Sequence, residues 1–126
     1  MSENISVSIG ELWDKYSILL IKKEKIKDKL KLDYVNNEIK SLDKIMRYYP
    51  YQSNELFINL KKVNEKLWDI EDKLRIKESL KTFDNEFIEL ARSVYYTNDE
   101  RAEIKRNINI IYDSLIHEIK DYINYK

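Results

Sequence analysis

A chain of 126 residues with one Gly, one Pro and 37% charged side chains fits a single domain and excludes hairpin-rich or Rossmann-type folds, whose turns need more of both. It has no cysteine, which excludes disulfides and thiolate metal sites and fits a reducing compartment. Lys plus Arg and Asp plus Glu balance at 23 each, so no global field draws the chain to nucleic acid or an anionic membrane, and any anion binding must be local.

The longest apolar run, Ile18 to Ile21, is far too short to span a bilayer, and no basic-then-apolar signal sequence precedes it. The expectation is a soluble cytoplasmic protein, in the host cytoplasm if the source is viral. Heavy use of Ile (18), Lys (18), Asn (11) and Tyr (10) is what an AT-rich genome produces, in a bacterium, a phage or a large DNA virus.

Apolar residues at three and four spacing predict an all-α antiparallel bundle of four to five long helices with short connections, one domain over 1–126. Ser8 and Glu11 form a capping box. From there Ile9, Leu12, Trp13, Tyr16, Leu19, Leu20, Ile26 and Leu30 make one broad stripe. Ile18 and Ile21 fall outside it, and a crossing helix or a symmetry mate in a homodimer would cover them. A shorter helix is expected from about Asp33 to Arg47, ended by Pro50 among Tyr48, Tyr49 and Tyr51, which read as a packed corner. Ser53 is the expected cap of a long third helix reaching about Leu80. The stripe resumes at Asp84 with Phe87, Leu90, Ala91, Val94 and Tyr95. The tetrad Thr97-Asn98-Asp99-Glu100 then reads as a second capping box and a break. A last helix, from about Asp99 to Tyr122, turns Ile104, Ile108, Ile111, Tyr112, Leu115, Ile119 and Tyr122 inward.

The long third helix carries polar groups where a core should be. Leu60, Leu67 and Leu74 share a stripe with Asn64, Glu71 and Glu78, and Arg75 sits at its edge. Glu71 and Arg75 are spaced as an i, i+4 pair, with Asp72 one step round. Such a set is either an inward-facing site or a buried ion pair that fixes helix register. Other groups can join it. Glu11, Lys15 and Lys22 edge the first helix, with Asp14 farther round and expected in solvent, and Arg92, Asn98, Asp99, Arg101 and Lys105 cluster at the expected break. Free amides at a helix start there would favour an anion. Carboxylates facing Arg and Lys suit a phosphate-bearing ligand, with Glu11, Glu71 and Asp72 as candidate ligands of a divalent metal such as Mg²⁺.

Competing chemistries have less behind them. The carboxylate pairs Glu11/Asp14 and Asp69/Asp72 evoke the paired acidic motifs of all-helical nucleotide pyrophosphatases, but lie too far apart in sequence, and Asp69 points off the core face. The sole histidine, His117, falls on a polar face, so nucleophile chemistry lacks a base, and zinc lacks a ligand set. Six lysines between Lys22 and Lys31 make a mildly basic face of the kind usually just solvated. Trp13 and Trp68 are expected to pack, although an aromatic beside Glu71 could stack on a base or sugar ring.

The run Ile9-Gly10-Glu11-Leu12-Trp13-Asp14-Lys15, with Leu67-Trp68, Glu71-Asp72 and Arg75, then Ala91-Arg92-Ser93-Val94-Tyr95, Asn98-Asp99-Glu100-Arg101-Ala102 and Ile104-Lys105-Arg106-Asn107, resembles a family of small helical domains from bacteria and viruses. Some members of that family stand beside, or fused to, glycosyltransferases of surface-polysaccharide loci. The resemblance runs from about Ile5 to Tyr122 and implies context rather than an activity. Its motif positions coincide with Glu11, Lys15, Glu71, Asp72, Arg75, Arg92, Asn98, Asp99, Arg101 and Lys105.

Two functions follow as expectations. One is binding, with or without processing, of a nucleotide or nucleotide-sugar in the bundle interior, where Arg75, Arg92, Arg101 and Lys105 neutralise phosphate and Asn64 and Asn98 orient the ligand. The other is a non-catalytic helical dimer whose polar centre serves only register.

Overall fold

Each helix starts where a short polar side chain replaces a missing intrahelical acceptor. Ser8 Oγ accepts from the Glu11 amide at 3.1 Å, Asp28 from Lys31 at 3.0 Å, Asn54 from Leu56 at 2.9 Å and Asp84 from Phe87 at 2.9 Å. These caps open α1 (Ile9–Lys25), α2 (Lys29–Met46), α3 (Glu55–Ser79) and α4 (Asn85–Ile111). The structure is a computed structural model and describes residues 1–112 and 123–125, among which there is no strand. The expected all-α bundle is therefore present, with four helices among the described residues. No helix there is long and apolar enough to cross a membrane.

Three boundaries differ from the sequence reading. The first stripe stops at Ile26, whose backbone is extended, and Asp28 caps α2 four residues earlier than expected, leaving Leu30 exposed. Asn54, not Ser53, caps α3. The expected break at Thr97-Asn98 does not exist, because α4 runs through it. Phe87, Leu90, Val94, Thr97, Arg101, Ile104 and Ile108 alternate three and four residues apart with no change of phase, and Thr97 is fully buried within the helix. The inward expectations for Leu115, Ile119 and Tyr122, and the position of His117, lie outside the described residues. Ile111, expected inward, is exposed.

Helix α1 is the centre of the molecule. It touches α2, α3 and α4, while among the described helices α2 packs on α1 alone and α3 pairs with α4. Asp14 meets Arg101 and Gly10 meets Asn109, so α1 and α4 are antiparallel. Trp13 meets Phe57 and Lys25 meets Asp69, so α1 and α3 run the same way. Burial on two faces follows. One is the apolar stripe Leu12, Tyr16 and Leu19 that joins Val35, Ile39 and Met46 of α2 and Phe57 and Leu60 of α3 in the core. The other is Gly10, Asp14, Ser17 and Ile21, spaced four, three and four. Ile21 is thus buried within the chain and Ile18 half-buried, so neither asks for a symmetry mate.

The tyrosine corner is packed as its composition suggests. Trp13 meets Phe57 and Tyr112 edge-on, and Tyr49 and Tyr51 close on Tyr112 and Phe57, while Tyr48 stays exposed. Tyr16 Oη donates to Asp43 Oδ1 at 2.5 Å and lies 3.1 Å from Tyr51 Oη. Burial, reinforced by the bond to Asp43, pushes this hydroxyl well above its ordinary value, so it stays a donor.

Candidate functional site

The second buried face of α1 meets three residues of α4 that recur every four positions, Arg101, Lys105 and Asn109. Because the helices are antiparallel, the two rows zip. At one end the Gly10 amide donates to Asn109 Oδ1 at 2.7 Å. A Cβ on Gly10 would stand 2.6 Å from the Lys105 carbonyl oxygen and 2.8 Å from Asn109 Oδ1, so only glycine permits this approach. One turn on, Lys105 Nζ lies 2.8 Å from Glu11 Oε2 and 3.9 Å from Asp14 Oδ2. At the other end the Arg101 guanidinium grips Asp14 as a fork, Nε donating to Oδ1 at 2.9 Å and Nη2 to Oδ2.

Helix α3 completes the centre through Asn64, whose Nδ2 donates both to Asp14 Oδ1 and to Ser17 Oγ, each at 2.9 Å. Ser17 Oγ in turn donates to the Asp14 carbonyl at 2.8 Å. Asp14 is 1% exposed. A carboxylate so deeply buried is tolerated only when cations and donors replace its water, and here an arginine fork, a lysine and an amide do so.

Arg101 also stands at the wall of two clefts. One, of about 330 Å³, lies between α1, α3 and α4, with Ile18, Ile21 and Leu67 as apolar lining and Asn64, Trp68, Glu71, Asn98 and Arg101 around it. The other, of about 280 Å³, is polar, and Glu11, Lys15, Lys22 and Glu38 contribute to it beside Asp14 and Arg101. Arg101 keeps 28% of its side chain accessible, although its counter-ion keeps only 2%.

The expected residues fall into three groups. Glu11, Asn64, Arg101 and Lys105 converge on Asp14. Glu71 and Asn98 enter the larger cleft, and Lys15 borders the polar one, 3.3 Å from Glu38. Asp72, Arg75, Arg92 and Asp99 do not join. Asp72 and Arg75 are exposed, Arg92 pairs with Glu89 at 3.1 Å on the outside of α4, and Asp99 accepts a hydrogen bond from Tyr125 Oη. Glu71 is exposed too and forms no ion pair with Arg75. The reason is length. α1 ends at Lys25, level with Asp69, so beyond that point α3 has α4 beside it but no longer α1. The continuous α4 likewise removes the helix-start amides expected to hold an anion near Asn98.

The metal reading does not fit. Among the described residues no three His, Cys, Asp or Glu side chains group for an ion. Glu11 is engaged by Lys105, whereas Glu71 and Asp72 belong to the exposed part of α3. Asp14, expected in solvent, is the hub, and Gly10, Ser17 and Asn109 were not singled out. The spacing of Gly10, Asp14, Ser17 and Ile21 carried the signal, since it outlines a second face on a helix already given one stripe. Comparison of the chain with family models, curated proteins and solved structures finds no match.

Proposed function

We propose that this protein binds a small phosphate-bearing molecule, a nucleotide or nucleotide-sugar, in the cleft between α1, α3 and α4. The observation that carries this reading is the meeting in one cleft of Arg101, held in place by Asp14, with the Trp68 indole, Asn98 and Glu71 over an apolar lining. The oriented guanidinium suits a phosphate or carboxylate oxygen, since its position is fixed before the ligand arrives. Trp68 supplies a stacking face for a planar ring. Asn98 and Glu71 supply a donor, an acceptor and a carboxylate for ring nitrogens or hydroxyls. The volume is at the small end of ligand sites, enough for the ring and the first phosphate.

The experiment is a thermal-shift panel of nucleotides and nucleotide-sugars, with and without Mg²⁺, followed by titration of tryptophan fluorescence. A binder at 100 times its Kd adds about 2.7 kcal/mol of stability. Trp13 is fully buried and Trp68 lines the cleft, so Trp68→Phe should abolish the fluorescence response, and Asn98→Ala should weaken binding with little change in melting temperature. No shift with any ligand at millimolar concentration would remove the proposal.

A second reading is supported by the closure of the network itself. Glu11, Asp14, Arg101 and Lys105 each have an opposite charge as neighbour, as a purely structural ion-pair set would. On that reading Trp68→Phe and Asn98→Ala are silent in every ligand assay, and only replacements in the network move stability.

A further inference from the structure

The polar cleft of about 280 Å³ lies on the other side of Arg101 from Trp68. Its floor is a third face of α1, the row Glu11, Lys15, Ile18 and Lys22, spaced four, three and four, flanked by Glu38 of α2 and Arg101 of α4. Ile18 and Arg101 line both clefts, so the two spaces meet across one isoleucine and one guanidinium. Helix side chains lean towards the N-terminus of their own helix. On the antiparallel α1 and α4, Lys22 and Arg101 therefore lean towards one another, with Ile18 between them.

The charges of the polar cleft do not cancel. Glu11 is met by Lys105, Asp14 by Arg101 and Glu38 by Lys15. Lys22 is half-buried at the same cleft and forms no ion pair among the described residues. An ammonium partly withdrawn from water without a counter-ion costs the fold something that an arriving anion removes.

We propose that the ligand carries a diphosphate, and that its second phosphate sits on Lys22 in the polar cleft. This rests on the binding of a nucleotide beside Trp68. With the ring on Trp68 the first phosphate lies at Arg101, and the next crosses Ile18 to the side of Lys22. One edge of the Arg101 guanidinium is engaged by Asp14, so the added charge of a diphosphate needs a second cation, and Lys22 supplies it. A sugar beyond the second phosphate meets Lys15 and Glu38, whose ammonium and carboxylate suit hydroxyl groups. Each cleft alone is at the small end of the range of ligand sites, ~300–1,000 Å³, and the two joined fall well inside it.

Titration of tryptophan fluorescence tests this, with the mono- and diphosphates of adenosine, guanosine, cytidine and uridine and with diphosphate sugars of the same nucleosides, in EDTA so that no magnesium bridges the phosphates. A diphosphate should bind about tenfold or more tightly than the monophosphate of the same base, the worth of one hydrogen bond between charged groups. Lys22→Ala should remove that advantage, costing the diphosphate about tenfold and the monophosphate far less, whereas Lys22→Arg should keep it. Lys23→Ala removes the same charge from an exposed neighbour outside both clefts and should affect the two ligands little and alike. The bare and the sugar-bearing diphosphate are told apart by which binds more tightly. Equal affinity for mono- and diphosphate, or equal effects of Lys22→Ala and Lys23→Ala, overturns the second phosphate site and leaves the cleft beside Trp68 as a nucleotide site. Failure of every nucleotide to bind removes both.

Discussion

Asp14 on α1 meets Asn64 of α3 and Arg101 and Lys105 of α4, and its replacement reports on all three helices that meet there. In Asp14→Asn the Arg101 fork and Lys105 lose their buried counter-charge. Breaking a fully buried pair costs about 3–5 kcal/mol, but Arg101 retains 28% exposure, so a loss of about 2–3 kcal/mol is expected in urea unfolding. A change below half a kcal/mol would mean that water already replaces the contact. Gly10→Ala tests the other end of the zipper. The added Cβ would strike the Lys105 carbonyl, which is backbone and cannot swing aside, so α1 and α4 must separate at a cost of about 1–3 kcal/mol. An unchanged melting temperature in that variant would contradict the close approach. Neither residue announces itself by type, because a lone aspartate or glycine on a helix is ordinarily a surface or propensity matter.

At the level of elements, caps and periodicity decided most of what was legible, and one error came from trusting a local motif over the long pattern. Thr97-Asn98-Asp99-Glu100 has capping-box chemistry, yet the three-and-four alternation from Phe87 to Ile108 passes through it, and a buried stripe outweighs one cap. The true start of α4 is at Asp84, whose carboxylate is held below its usual range by the Phe87 amide and then by Lys77. A group lowered in the folded state lends stability above its unfolded value, near 3.9, and that contribution is lost as pH falls through the lower folded value. Acidification between about pH 5 and 2 should therefore loosen the start of α4. The Asp84→Asn variant keeps a capping oxygen but no titrating charge, and its hydrogen exchange near Phe87 should lose that part of the pH dependence. Equal acid sensitivity in both proteins would assign the effect elsewhere.

Taken whole, the molecule has a tightly packed body and an α3–α4 arm, Glu71 to Tyr96, in which no residue is buried. In dilute protein the amides from Glu71 to Tyr96 should exchange well before those around Leu60 and Ile108, which are fully buried. Uniform protection along α3 and α4 would contradict the division. By itself the sequence determined that the chain is helical, where most helices start, and which residues make the aromatic corner, because propensity, capping and periodicity act within a few residues of one another. It also marked Asn64, Arg101, Lys105 and Glu11 as unusual for their faces. What only the tertiary structure decided is which of those meet. α1 is shorter than α3 and lies at its first half, so Asn64 gains partners while Glu71 and Arg75, on or beside the same stripe, form no ion pair among the described residues. α1 is covered on two sides, so Asp14 becomes a buried hub. Periodicity gives a residue's direction around its own helix, but whether another helix stands in that direction depends on lengths and crossings that no single helix encodes.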